Sequence, residues 1–338
     1  MLTLPLGQTP SLDPMTGELV ALPDIQTGDH EEPEPHPSAA LENVGLRSYI
    51  HHMLSIPWDA VNGWGVPSIQ PYGPLQLDPS TTVLHYAQTL FEGMKAYRDD
   101  NGKVTLFRPD MNMKRMNNSA KRIALPNFDG DALLDLIKEL VRLDKHWIPK
   151  ETGHSLYIRP TLIGTQKFIG VAPPTEALLF VICSPVGPYY PNGFKPIALY
   201  GTTEYIRAAP GGYELVTPPL DGMILPGVTR DSVLTLARGH AAGIKRLPNL
   251  PENLTVSERP ITMSEVKEAS KTNKLVELFG AGTAAVISPV DRIGYLNEDI
   301  HIPTGEDGMG LISRPIWTEL VGIQTGKTPS EWSVVVTE

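Results

Sequence analysis

One cysteine among 338 residues leaves no disulfide framework to hold this chain together. That residue, Cys183, closes the apolar run ALLFVIC, where a thiol acts as a small buried hydrophobe, and a reducing compartment suits it. Basic residues are in deficit, 28 Lys and Arg against 38 Asp and Glu, for a formal net charge of −10. With no basic stripe either, a nucleic-acid partner is not expected. No apolar run is long enough to span a bilayer, so no membrane partner is expected. The N-terminus is acidic and lacks an Arg-rich amphipathic stretch, so no transit peptide is expected and the expected location is cytoplasmic. Internal repeats are not apparent. Gly305, Gly308 and Gly310 lack the strand–turn–helix context of a phosphate or dinucleotide fingerprint. The nine histidines show no metal-ligand spacing, so no metal is expected.

What is present is ample core. A hydrophobic content of 41% in a chain of this length suits two domains or one large one. Residues 1–40, with the charged, proline-rich Asp29–Ser38, read as disordered. Thr81–Val83 reads as a strand. It leads into Leu84–Arg98, where Phe91-Glu92-Gly93 sets a ring, a charge and a bare backbone side by side. Asn101-Gly102 predicts a two-residue hairpin turn, with Lys103–Phe107 as the return strand.

Asp110 is the expected N-cap of a helix with Met113, Met116, Ala120 and Ile123 on one face, Arg115 and Arg122 falling off it. A second amphipathic helix is expected over Asp131–Trp147, ended by Pro149. Ser155–Gly164 reads as a strand with Tyr157, Arg159 and Thr161 on one face, a reasonable surface for a carboxylate. Ala177–Cys183 reads as a strand buried on both faces.

A linker over 188–194 separates an N-terminal domain (41–187) from a C-terminal one (195–338). The second domain is expected to hold strands at Lys195–Gly201, Leu254–Ile261 and Leu275–Phe279, and paired strands within Ala285–Leu296. Helices are expected at Arg230–Ala242 and Leu311–Thr325, and a capping box at Thr262–Glu265, with the Trp332 tail packing back. The fold class is α+β.

The words HYAQTLFEGMKAYR, FRPDMNMKRMNNSAKRIALP and LYIRPTLIGT, followed later by LVTPPL, ILPGVTRDS, FGAGTAA and IHIPT, closely resemble the branched-chain-amino-acid aminotransferases. The resemblance runs from about His51 to the C-terminus. It implies the two-domain, D-amino-acid-aminotransferase-like architecture of fold type IV, pyridoxal 5′-phosphate (PLP) as cofactor, branched-chain amino acids and 2-oxo acids as substrates, and a homodimer. It implies that Arg115, Val228, Thr229 and Thr283 hold the PLP phosphate. It implies that Tyr86, Phe91, Tyr157, Arg159, Tyr189 and Ala284 hold substrate. Some relatives carry a Cys-x-x-Cys pair where this chain has Ala285 and Ser288, so that regulation is not expected.

One break interrupts the pattern. In the family, RAAPGG leads into a segment with the lysine that forms the Schiff base with PLP, and then into one with the glutamate that pairs with the pyridine nitrogen. Here Arg207–Gly212 runs through Tyr213-Glu214 straight into LVTPPL, and no lysine lies between Lys195 and Lys245. No catalytic lysine can be named, and the second domain is expected to be truncated internally, with unpaired strand edges and exposed core positions. Three readings stand: a mis-spliced or mis-assembled version of an aminotransferase, a non-catalytic member that binds PLP or an intact subunit, or a displaced lysine such as Lys195 or Lys267 taking over. A same-fold PLP lyase is a further alternative for the reaction.

Overall fold

The computed structural model describes residues 50–336 apart from 152, 189–196, 200–203, 210–211, 223, 296–297 and 306–307. The stretch expected to be disordered lies outside them, as do most of the expected linker, Tyr189 and Lys195. In chain order the first elements are β1 (His52–Asp59), β2 (Gly63–Trp64), β3 (Ser68–Pro71), α1 (Thr82–Tyr86), β4 (Thr89–Phe91), β5 (Met94–Arg98) and β6 (Val104–Phe107). Then come α2 (Pro109–Arg122), α3 (Gly130–Leu143), β7 (Ser155–Gly164) and β8 (Glu176–Val186). After them stand β9 (Ile197–Leu199), β10 (Glu204–Ala209), β11 (Gly212–Thr217), α4 (Val228–Ala241), β12 (Leu254–Glu258) and α5 (Met263–Lys271). The last are β13 (Leu275–Gly282), β14 (Val286–Tyr295), β15 (Glu298–His301), α6 (Ser313–Gln324) and β16 (Ser333–Val335). Among the described residues no helix is long and apolar enough to cross a membrane.

The chain forms two compact units, the first ending at Gly187 and taking back the tail from Pro329. The first unit is built on one sheet in the order β16-β6-β5-β7-β8-β1-β2, with β3 added to β1 and β4 to β7. Strand alternation sorts the side chains. Leu156, Ile158 and Leu162 of β7 join Ala96, Leu106, Leu179 and Val181 in a core closed by Met116 and Ala120 of α2 and by Leu133, Ile137 and Leu140 of α3. Tyr157, Arg159 and Thr161 alternate with those residues and take the opposite face.

Several expectations are corrected here. The hairpin loop has three residues, not two. Asp99 N–H donates to Lys103 O (2.9 Å), and Gly102 takes a left-handed φ of 85°, the arrangement of a type I turn closed by glycine. Thr81–Val83 is not a strand: only Thr81 bridges, to Lys167, and α1 starts at Thr82. Asp110 is not the N-cap of α2. Arg108 is, at φ 46°, because Pro109 with its fixed φ and missing N–H belongs in the first helical position. The Asp129 carboxylate caps α3 through Asp131 and Ala132 N–H, and α3 ends at Leu143 before a 3-10 turn over Lys145–Trp147. β8 is not buried on both faces. Ala177, Leu179, Val181 and Cys183 are buried, while Leu178, Phe180 and Ile182 are half-buried on the face shared with Thr161 and Arg159. Burial, with the Asp144 carboxylate second, pushes the Cys183 thiol up in pKa.

In the second unit the sheet runs β12-β11-β10-β13-β14-β15, with β9 parallel to β14. Among the described residues, the strand next to the break has no unpaired edge. β10 and β11 form an antiparallel pair from Tyr205↔Val216 to Ala209↔Gly212, and β12 lies parallel on the other side of β11. β11 is therefore no edge, and Leu215 and Val216 are fully buried. β12 ends at Glu258 and β13 runs on to Gly282. Ala285–Leu296 is not a strand pair but a single strand, β14, whose partner β15 follows it. The tail forms β16 against β6, so it belongs to the first unit and not to the second.

Candidate active site

In the first unit, β7 and the segment Phe91–Lys95 build a polar face. Arg159 Nη2 donates to the Tyr157 hydroxyl (2.7 Å), and its guanidinium lies 4.3 Å from the centre of the Phe91 ring. Arg159 Nε is buried and has no hydrogen-bond partner among the described residues, as a group reserved for a ligand oxygen would be. Phe91 is 61% exposed although it is a large ring. Gly93 is required beside them, since a Cβ there would overlap the Tyr157 hydroxyl. A cation and a hydroxyl for a carboxylate thus stand next to an open apolar ring.

Arg115 sits behind this face on α2, and its fork is engaged. Nε donates to Glu92 Oε1 and Nη2 to Glu92 Oε2, both at 2.7 Å, while Asn112 donates to Oε2 at 2.9 Å. The hydrogen bonds it donates to Glu92, ahead of any burial effect, raise the pKa of Arg115 and keep it charged. Tyr86 stands on α1, which attaches at Gln166 beyond the end of β7, and its hydroxyl bonds to Ile169 O.

In the second unit, Val228 and Thr229 form the first turn of α4 and are buried, with Gly227 as an N-cap that provides no side-chain acceptor. The first-turn amides have no partner within the helix, which makes them donors for an anion. Thr283 and Ala284 lie in the turn between Gly282 and Val286, half-buried and exposed respectively. Arg230, which follows Thr229 on α4, donates to Pro218 O of LVTPPL and to the Glu258 carboxylate at the end of β12, both at 2.8 Å. Of the lysines proposed as replacements, Lys267 is paired with Glu298 on α5, and Lys195 lies outside the described residues.

Sequence reasoning passed over Glu92, Asn112, Lys95 and Arg230. Lys95 had the plainest signal, a charge two residues from Gly93 on a strand. It lies opposite Tyr157 in register, so the two share a face. Burial pulls its ammonium down to about 8 from 10.5. Between those pH values the unfolded chain holds a proton that the folded chain has released, so stability rises with pH across that window. Lys95→Met is expected to stabilise the protein by about 1–3 kcal/mol at pH 7, with the difference fading above pH ~10. Urea titrations at the two pH values measure it.

Residues 89–205 match the amino-transferase class IV family. The chain is 44% identical to the cytosolic branched-chain-amino-acid aminotransferase of Saccharomyces cerevisiae, with 93% of this chain and 96% of that one covered. It is 42% identical to the enzyme of that name from Dictyostelium discoideum, covering 86% and 89%. The yeast alignment runs over 374 positions, more than this chain has residues, so the relative carries residues with no counterpart here. Among solved structures, the branched-chain amino acid aminotransferase of Thermobaculum terrenum in its PLP form superposes with a TM-score of 0.65 at 18% identity, covering 86% of this chain and 100% of that one. That of Thermoproteus uzoniensis with norvaline gives 0.62 at 21% identity, with the same coverage. At such identity the superpositions speak for the fold, which is that of fold type IV. The identity and coverage of the full-length relatives settle the family: the chain belongs to the branched-chain-amino-acid aminotransferases.

Proposed function

We propose that this chain's site serves PLP-dependent transamination of leucine, isoleucine and valine with 2-oxoglutarate, and that the chain as it stands holds the cofactor without a covalent bond. The observation that carries the reading is the Phe91–Tyr157–Arg159 face, whose cation, hydroxyl and exposed ring match the two ends of a branched-chain amino acid. The residues fit the anionic end of PLP. The uncapped first turn of α4 offers the amides of Val228 and Thr229, and Thr283 offers a hydroxyl. In the first unit Arg115 is a further candidate for the phosphate, with its Nε and Nη2 donated to Glu92. The residues do not supply the family's lysine at the aldehyde end or its glutamate at the ring nitrogen.

When bound, PLP supplies an electron sink for the bond broken at the amino-acid α-carbon. This chain's own residues do the rest of what the site can do. Arg159 and Tyr157 bind the carboxylate and orient the α-carbon, Phe91 covers the aliphatic side chain, and Ala284 offers its backbone in an exposed turn. Among the described residues no amine is assigned to move the proton, and the loss of such a group typically costs ~10²–10⁴ in rate.

The exposed Leu84, Tyr86, Phe168, Ile169 and Val171, gathered where Tyr86 bonds to Ile169, are the surface we assign to a second copy in a homodimer. The single buried Cys183 accords with a cytoplasmic setting. Incubation with PLP, borohydride reduction and peptide mass mapping test the reading. Expected are cofactor retained before reduction, no pyridoxyl group on any lysine, and leucine turnover at least ~10²-fold below that of a full-length relative. A pyridoxyl-lysine together with turnover at the relative's rate would overturn it.

A further inference from the structure

Elsewhere in the first unit is a cluster that the transamination reading leaves unused. Asp144 follows α3 and is fully buried. Its carboxylate reaches the start of β1, 92 residues away in sequence, where Oδ2 accepts His52 N–H (3.0 Å) and Oδ1 meets His52 Nδ1 (2.9 Å). His51 precedes His52, and His146 follows Asp144 by two residues in the 3-10 turn. The ring centres of His51 and His146 are 5.7 Å apart. One ligand atom each from His51, Asp144 and His146 lie within 4.8 Å of one another. No spacing along the chain announces this group. Two adjacent histidines and an Asp-x-His come from separate stretches, which is why the sequence suggested no metal.

We propose that His51, Asp144 and His146 form a binding site for a divalent transition-metal ion of the zinc class. Two imidazoles and a carboxylate suit zinc, copper or nickel and disfavour magnesium and calcium, which take oxygen donors. Three protein ligands leave a fourth tetrahedral position for water. His52 orients the carboxylate from behind, as the outer shell of a metal site does. The Trp147 ring meets His51 edge-on at 4.8 Å and 88°, which sets the plane of that imidazole. Trp147 Nε1 lies 3.4 Å from His51 Nδ1, a contact in which Nδ1 carries the lone pair. His146 is exposed, so an ion enters from solvent without opening the core. Zinc bonds of roughly 2.0–2.1 Å require the donors to draw closer than they stand, and His146 is the ring with room to swing. The site would fasten the start of β1 to the end of α3.

The proposal is independent of PLP, and the test reads metal directly. The full chain, stripped with chelator, is titrated with Zn²⁺ by calorimetry and with Co²⁺ by visible absorption. One equivalent is expected, with a tetrahedral cobalt band. His146→Ala and His51→Ala are each expected to weaken binding at least ~10-fold. His301→Ala, an exposed histidine of the second unit, is expected to leave it unchanged. His146 is exposed, so its variant folds. The absence of saturable binding overturns the proposal, and so does wild-type affinity in His146→Ala.

Discussion

A lysine-bearing segment from a full-length relative, inserted between Gly212 and Tyr213, is expected to raise leucine transamination by ~10²–10⁴-fold or more over the chain as it stands. The structure shows why the junction can be opened. β10 and β11 pair out to Ala209↔Gly212, so an insertion after Gly212 enters at the end of that pair, behind the first residue of β11. β11 keeps its parallel partner β12 whatever happens on the other side, and Tyr213 N–H stays bonded to Asn253 O (2.8 Å). The insertion brings the amine and the ring acid that the proposed site lacks. A coupled assay with leucine and 2-oxoglutarate measures the gain. The decisive comparison is the same insertion with its lysine changed to alanine. If both inserted chains fold and turn over alike, the missing amine is not what limits this protein.

Truncating Glu92 to alanine should cost about 3 kcal/mol of stability. Glu92 is 3% exposed and takes three hydrogen bonds from Arg115 and Asn112. Its removal leaves a guanidinium in a half-buried place with its main acceptor gone, and a cation so left is worse than no ion pair at all. The double change Glu92→Met, Arg115→Met should therefore recover much of the loss, because two apolar side chains of similar length replace the pair. Urea unfolding of the single and double variants measures both numbers. Equal destabilisation in the two would mean that packing, not charge, is what Glu92 provides.

Much of the scaffold could be read from residue order. Ser155–Gly164 is the strand that its alternation announces, and the inward set Val233, Leu234, Leu236 and Ala237 on α4 is buried as helical spacing requires. Local signals went astray where a distant partner decided the outcome. α3 stops at Leu143 although the apolar pattern runs on to Trp147, and its next residue, Asp144, bonds to His52. β8 looked buried on both faces because leucine and phenylalanine fill it, yet one face looks toward Arg159. In the site, Tyr157, Arg159 and Phe91 come together because strand period and cross-strand register place them so. The role of Arg115 was harder to foresee. Glu92 precedes it by 23 residues, and nothing local shows that the two pair. The pairing of β10 with β11 was likewise invisible, since it depends on which strand finds which neighbour.

The return of residues 333–335 to β6 has a consequence for biosynthesis. During translation the hydrogen-bonding edge of β6 has to wait for the whole second unit to emerge before its neighbour exists. Until then a nascent chain exposes that rim, along with Phe107, on which Trp332 later closes edge-on at 5.9 Å. Ribosome-bound intermediates stalled before residue 329 should consequently engage chaperones that grip open strands, and release them once the last segment clears the exit tunnel.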